Sequence, residues 1–122
     1  MTTSFELSKK LWDLGLKIGT EKHWWKLSDG NWVEGIGIGL DDGIQSLPRY
    51  STDELLAILF STGISRIGLS ANSAWDDSAA QIIPKCFYGE ISEALGLMCE
   101  WLLDNGWRWS NTNKLLVKGE EK

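Results

Sequence analysis

Cysteine is scarce in this chain. Its 122 residues hold two, Cys86 and Cys99, too few for the bridge framework that small secreted domains rely on. Neither sits in a C-x-x-C or near the single histidine, His23, so zinc has no ligand set and no metal or cofactor is expected. Both thiols read as buried groups in a reducing compartment. Basic clusters are missing as well. Twelve Lys and Arg stand singly, apart from Lys9-Lys10, against seventeen acids and a net charge of -5; a phosphate-backbone binder needs the opposite balance. The acids are dispersed too, so no carboxylate run imitates DNA. No apolar run approaches the length of a membrane span, and "MTTSFELSKKLW" has no signal-peptide centre. The expectation is a cytoplasmic protein whose partners are neither nucleic acid nor membrane.

What is abundant is tryptophan, eight residues in one domain's length. Indoles bury a large area yet need a partner for their N–H, so they favour core rims and binding surfaces. Otherwise the 43% hydrophobic and 24% charged residues are ordinary for a globular chain, long enough for one core.

Elements follow from spacing. Thr3 and Glu6 stand at capping-box distance before a stripe of Phe5, Leu7, Leu11, Trp12 and Leu14, and Gly15 closes a helix over 4–14. "EKHWWKL" and "WVEG" flank Asp29-Gly30 as a hairpin, with Trp24 and Trp32 facing each other. In "LPRYSTDELLAILF" Pro48 keeps the chain extended. Ser51 and Glu54 then form a capping box, and Leu55, Leu56, Leu59 and Phe60 form the buried face of a helix ending at Gly63. A second hairpin is read from Ile67, Leu69 and Ala71, through "NSAWDDSA" as a loop, to "QIIPKCFY", where Pro84 marks an edge or bulge. "GEISEALGLMCEWLLDNG" is the clearest helix: Ile91, Ala94, Leu95, Met98, Cys99, Leu102 and Leu103 keep an unbroken helical spacing. Residues 111–122 read as a tail, partly ordered at most, after a single domain over 1–110.

"VEGIGIGLDD" raises the question of a phosphate or metal loop. A dinucleotide loop needs a helix directly after its glycines, whereas "LDDGIQSLP" is turn chemistry, and no G-K-[ST] appears. Asp41 and Asp42 lack the alternating acids of a calcium loop. The glycines read as a strand lying close against another backbone or a bulky ring.

The predicted class is α+β: a small antiparallel sheet of about four strands with three helices, in the order α-ββ-α-ββ-α, packed as a sandwich of helices and sheet. "LPRYSTDELLAIL" and "EALGLMCEWLLDNG", together with "ELSKKLWDLGLKIGTEKHWW", resemble the phage ABA sandwich domain, a group of small proteins encoded by phages and prophages. The resemblance covers the chain to about Trp109; the turn between Phe60 and Ile64 departs from it by being very short. It implies a sheet between helical layers in a bacterial host cell, and no catalytic or ligand residues.

The residues themselves offer weak site chemistry. Asp41-Asp42 and Asp76-Asp77 are adjacent pairs that would serve a metal-dependent hydrolase if they met. Equally, neighbouring aspartates are good loop residues. His23 has no acid or nucleophile beside it, and no G-x-S-x-G or H-E-x-x-H is present. Partner binding rests on Trp24, Trp25, Trp32, Trp107 and Trp109, because aromatics dominate interface hot spots. Neighbours on a strand face opposite ways, so Trp24 and Trp25 cannot share one covered face. The expectation is a non-catalytic phage or prophage accessory protein acting through protein contacts, with an unidentified protein partner or a homodimer. The alternatives are the hydrolase and a Trp-rich carbohydrate-binding module.

Overall fold

A computed structural model of the chain describes residues 2–18, 22–27, 29–36, 46–79, 81–110, 112 and 115–118. In order, the elements are α1 (Phe5–Asp13), β1 (Lys22–Lys26), β2 (Trp32–Ile36), β3 (Ser46–Arg49), α2 (Thr52–Phe60), β4 (Ile67–Ser70), β5 (Ser73–Asp76), β6 (Cys86–Tyr88), α3 (Ile91–Asp104), β7 (Trp107–Ser110) and β8 (Leu115–Lys118). The chain is mixed α+β. The expected sheet of about four strands is replaced, among the described residues, by eight strands in three antiparallel sheets: β2-β1-β3, β4-β5-β6 and β7-β8. The second and third sheets pair only strands consecutive in sequence, whereas in the first β1 pairs both with β2 and, past it, with β3.

Helix α3 is the hub. It packs against α1, α2, β5, β6 and β7, and Ala94, Leu95, Met98, Cys99 and Leu102 are fully buried. The apolar stripe read from sequence is therefore the centre of the core, with Ile91 and Leu103 partly covered at its edge. Burial pushes the Cys99 thiol far above its ordinary range, leaving it neutral and unreactive.

Helix α2 begins as its capping box predicts: Ser51 Oγ accepts from Glu54 N–H, and the Glu54 carboxylate accepts from Ser51 N–H. Its buried face is Leu55, Ile58 and Leu59, and Phe60 is 45% exposed. Ile58 takes the place expected for Phe60 because it stands at i+3 from Leu55, beside Leu59 at i+4, whereas Phe60 at i+5 turns away from that face.

Helix α1 is capped one residue later than the spacing suggests. Ser4, not Thr3, accepts from the Leu7 amide. The stretch offers three capping residues in a row, and tertiary contacts choose between them. Thr3 is buried, its hydroxyl shared with Ser8 at 2.6 Å and accepting from Tyr50 N–H. The reciprocal carboxylate comes from α3: Ser4 N–H and Oγ–H donate to the two oxygens of Glu93, each at 2.9 Å. Tyr50 Oη–H donates to Leu16 C=O at 2.6 Å, tying the exit of α1 to the entry of α2.

One further expectation is corrected. "NSAWDDSA" is not a loop; it holds β5, the central strand of its sheet, and only Cys86–Tyr88 of "QIIPKCFY" is strand. Within the segment read as a partly ordered tail, β8 pairs with β7 and buries Leu116. The glycine-rich stretch beyond Ile36 falls outside the described residues. None of the helices found is long and apolar enough to cross a membrane.

Candidate functional site

In the β4-β5-β6 sheet, Gly68 faces Trp75, Leu69 faces Ala74, and Trp75 faces Cys86. Side chains alternate across a strand, so Leu69, Ala74 and Phe87 share one face. Gly68, Ser70, Ser73, Trp75, Cys86 and Tyr88 share the other. Helix α3 covers the β5 and β6 part of the first, where Ala74 is fully buried, and Leu69 of β4 stays exposed. The second is the outer face, and among the described residues no helix packs on it.

Its centrepiece is Trp75, half-buried on the middle strand. The indole lies directly over Gly68 of β4: a Cβ there would stand 2.1 Å from Trp75 Cε2, so no larger residue fits without moving the ring. Trp75, Asp76, Gln81, Ile83, Pro84, Lys85 and Cys86 line a cleft of about 250 Å³, smaller than most small-molecule pockets. Two residues beyond Cys86, Tyr88 projects with 70% of its surface exposed. Hydrogen bonding to the Cys86 side chain raises the Tyr88 phenol above its usual range. Lys85 Nζ lies 5.4 Å from the centre of the Phe87 ring.

The rear wall of the cleft is set by Asp76. Its Oδ1 accepts from Ser78 N–H at 2.9 Å and from the Ser78 hydroxyl, and its Oδ2 accepts from Ile83 N–H at 3.0 Å. Burial works to raise this carboxyl. The Ser78 hydroxyl and the amides of Ile83, Ser78 and Ile82 outweigh that and hold it below the ordinary carboxylate range. Asp76 is therefore an ionised latch that ties Ser78 and Ile83 to the end of β5, and as a base it is already occupied. Asp77 points elsewhere, in an exposed ion pair with Arg66 at 2.9 Å.

The residues singled out from sequence are thus dispersed. Asp76 and Asp77 diverge, and Asp41 and Asp42 lie outside the described residues. Among the described residues no three His, Cys, Asp or Glu side chains come together in a metal-binding group. His23 stacks on Trp25, with centroids 5.2 Å apart, on the face of the β2-β1-β3 sheet away from α1.

The hairpin expected around Asp29-Gly30 forms, but Trp24 pairs with Glu34 and Trp32 with Lys26. Trp24 and Trp32 are diagonal rather than opposite, both turned towards Phe5 of α1 at 5.8 and 5.1 Å. The Trp24 indole N–H donates to Ser8 Oγ at 3.2 Å, and the Arg49 guanidinium sits 5.2 Å from its ring. Trp107 and Trp109 pack against the main core. All eight tryptophans are half-buried. Of the five proposed for binding, only Trp25 faces away from both α1 and the core.

The outer-face group of Trp75, Cys86 and Tyr88 was not singled out from sequence. One signal existed: Gly68 and Trp75 are a close-approach glycine and a bulky ring, but seeing them as partners required recognising β5 as a strand.

No protein-family model matches the chain, and no curated protein or solved structure matches it.

Proposed function

We propose that this chain is a small non-catalytic accessory protein of a phage or prophage, acting in the bacterial cytoplasm through protein–protein contact. The observation that carries the contact half is the outer face of the β4-β5-β6 sheet. A 70%-exposed tyrosine stands there beside a Trp-walled cleft the size of a side chain, and exposed aromatics of this kind are common interface anchors. The absence of catalysis is supported by Asp76 and Asp77, each already engaged within the fold. The phage origin rests on the resemblance of residues 47–59 and 93–106 to the phage ABA sandwich domain, including the tight capping box that opens α2.

The test has two arms. Calorimetric titration with Mg²⁺, Mn²⁺ and Ca²⁺ is expected to give no binding heat. Tight binding that disappears in Asp42→Asn or Asp77→Asn would replace this reading with the hydrolase. In the second arm, proteins captured from a bacterial host extract are purified and titrated against the parent and Tyr88→Ser. An affinity loss of roughly tenfold or more is expected for a central aromatic contact. Equal affinities, or a fluorescence response to oligosaccharides in place of any protein, would move function away from this face.

A further inference from the structure

Strand β6 is an edge. Its inner side pairs with β5, and among the described residues no strand takes its outer side. The direction of its backbone groups follows from a neighbouring bond. Gly89 N–H donates to Asn72 C=O at 2.8 Å, which makes 72/89 a hydrogen-bonded pair. Antiparallel ladders alternate hydrogen-bonded and non-bonded pairs, so 74/87 is bonded while 73/88 and 75/86 are not. The N–H and C=O of Cys86 and Tyr88 therefore point outward, away from their own sheet.

We infer that β6 is the contact strand of a homodimer, in which a second copy pairs with it antiparallel about Phe87. That register is the one that satisfies every outward group of the strand. Cys86 exchanges both backbone bonds with Tyr88 of the second copy, and Tyr88 with its Cys86. Sliding the two-fold to Cys86 or to Tyr88 leaves one of these residues without its partner. The pairing is also self-complementary in side chains. Directly opposed residues lie on the same face, so each Tyr88 ring comes to rest against the other copy's Cys86, which lines the Trp75 cleft. A protruding ring and a side-chain-sized cleft on one strand then serve each other twice, as a two-fold interface requires.

Charge points the same way. Lys85 precedes the strand and Glu90 follows it, both exposed. Antiparallel pairing brings the Lys85 end of one strand to the Glu90 end of the other, whereas parallel pairing would bring like-charged ends together. A three-residue strand gives a small interface, so the dimer is weak and concentration-dependent. It uses the same Tyr88 and cleft as the functional reading above, with a second copy in place of another protein, and sedimentation of the chain alone tests it independently of any captured partner.

Two variants of the full chain test it. Tyr88→Cys puts a thiol opposite the second copy's Cys86. In a glutathione redox buffer it is expected to give a covalent dimer whose bridge, located by peptide mass spectrometry, joins positions 86 and 88. Adding Cys86→Ser is expected to abolish that bridge. Tyr88→Pro removes an outward N–H that its own sheet does not use. It should keep the parent's circular dichroism and melting behaviour while losing the concentration-dependent dimer seen by analytical ultracentrifugation. A parent chain that sediments as a monomer at its highest soluble concentration would overturn the inference. So would a bridge joining 88 to 88, or a folded Tyr88→Pro that dimerises like the parent.

Discussion

Replacing Asp76 with alanine should destabilise the protein more than its position beside a surface loop suggests. The carboxylate accepts from two backbone amides and a hydroxyl, and both amides belong to buried residues, Ser78 at 5% and Ile83 at 1% exposure. Truncation strands them. A buried donor left unpaired costs about 1–3 kcal/mol; with water relieving part of the loss through the open cleft, we expect ~2–4 kcal/mol in total. At a few degrees per kcal/mol for a chain of this length, the melting temperature should fall by roughly 10 °C.

Asp76→Asn separates charge from shape. It keeps one carbonyl oxygen but turns an amino group towards a donor, so it should fall between parent and alanine. The pH dependence has a definite sign. The folded-state pKa is lowered, so the carboxylate's contribution is complete above the unfolded value of about 3.9 and fades as pH falls through the lower folded value. The stability gap between parent and Asp76→Asn should therefore be widest near neutral pH and shrink steadily in acid below about pH 4. Urea melts followed by circular dichroism at several pH values measure both quantities. An alanine variant within about 0.5 kcal/mol of the parent, the range of an ordinary surface change, would refute the latch. A gap that stays constant into acid would refute the role of its charge.

Other perturbations have equally direct readouts. Leu95→Asp buries a charge at the fully enclosed centre of α3, forfeiting ~1.5–3 kcal/mol of burial besides desolvation; the chain should lose its cooperative melt, and a transition near the parent's temperature would show that α3 is not the core. Gly68→Ala drives a Cβ into the Trp75 ring at a cost of about 1–3 kcal/mol, with a red shift in tryptophan emission. In a Trp75→Leu background the same change should cost far less, and equal costs would contradict the stacking. Tyr50→Phe removes the bond to Leu16 C=O and should cost ~1 kcal/mol in a denaturant melt; no change would mean that water already serves that carbonyl.

What was legible in the sequence was what local chemistry alone determines. The α2 capping box, the α3 stripe and the Asp29-Gly30 hairpin each need only residues within a few positions of one another, and all three form. The misreadings share one cause: a distant partner overrode the local signal. Ser73 and Asp76 look like loop residues until Tyr88, Ser78 and Ile83 are placed around them. Nothing local gives Leu116 a place in the tail; its N–H donates to Ser61 Oγ at the close of α2. Pro48, read as keeping the chain extended, stands in β3, an edge of its sheet, where a missing donor is tolerated.

The tryptophans show why composition could not find the candidate site. An indole carries a large apolar body and a single polar tip, so it comes to rest at the rim of a core: Trp24 covers Phe5 while its N–H reaches Ser8. When all eight adopt that compromise, their number says how the rim is built and nothing about which surface is free. Freedom is decided by coverage. Helix α3 lies against one face of β5 and β6, and on the face that alternates away from it Trp75 and Cys86 are half-buried and Tyr88 is exposed. The ring that ends most exposed is accordingly a tyrosine on a three-residue edge strand, selected by the side on which the helix that begins three residues later packs. A residue's part in such a surface is thus a property of its register against the sheet and of the helix behind it.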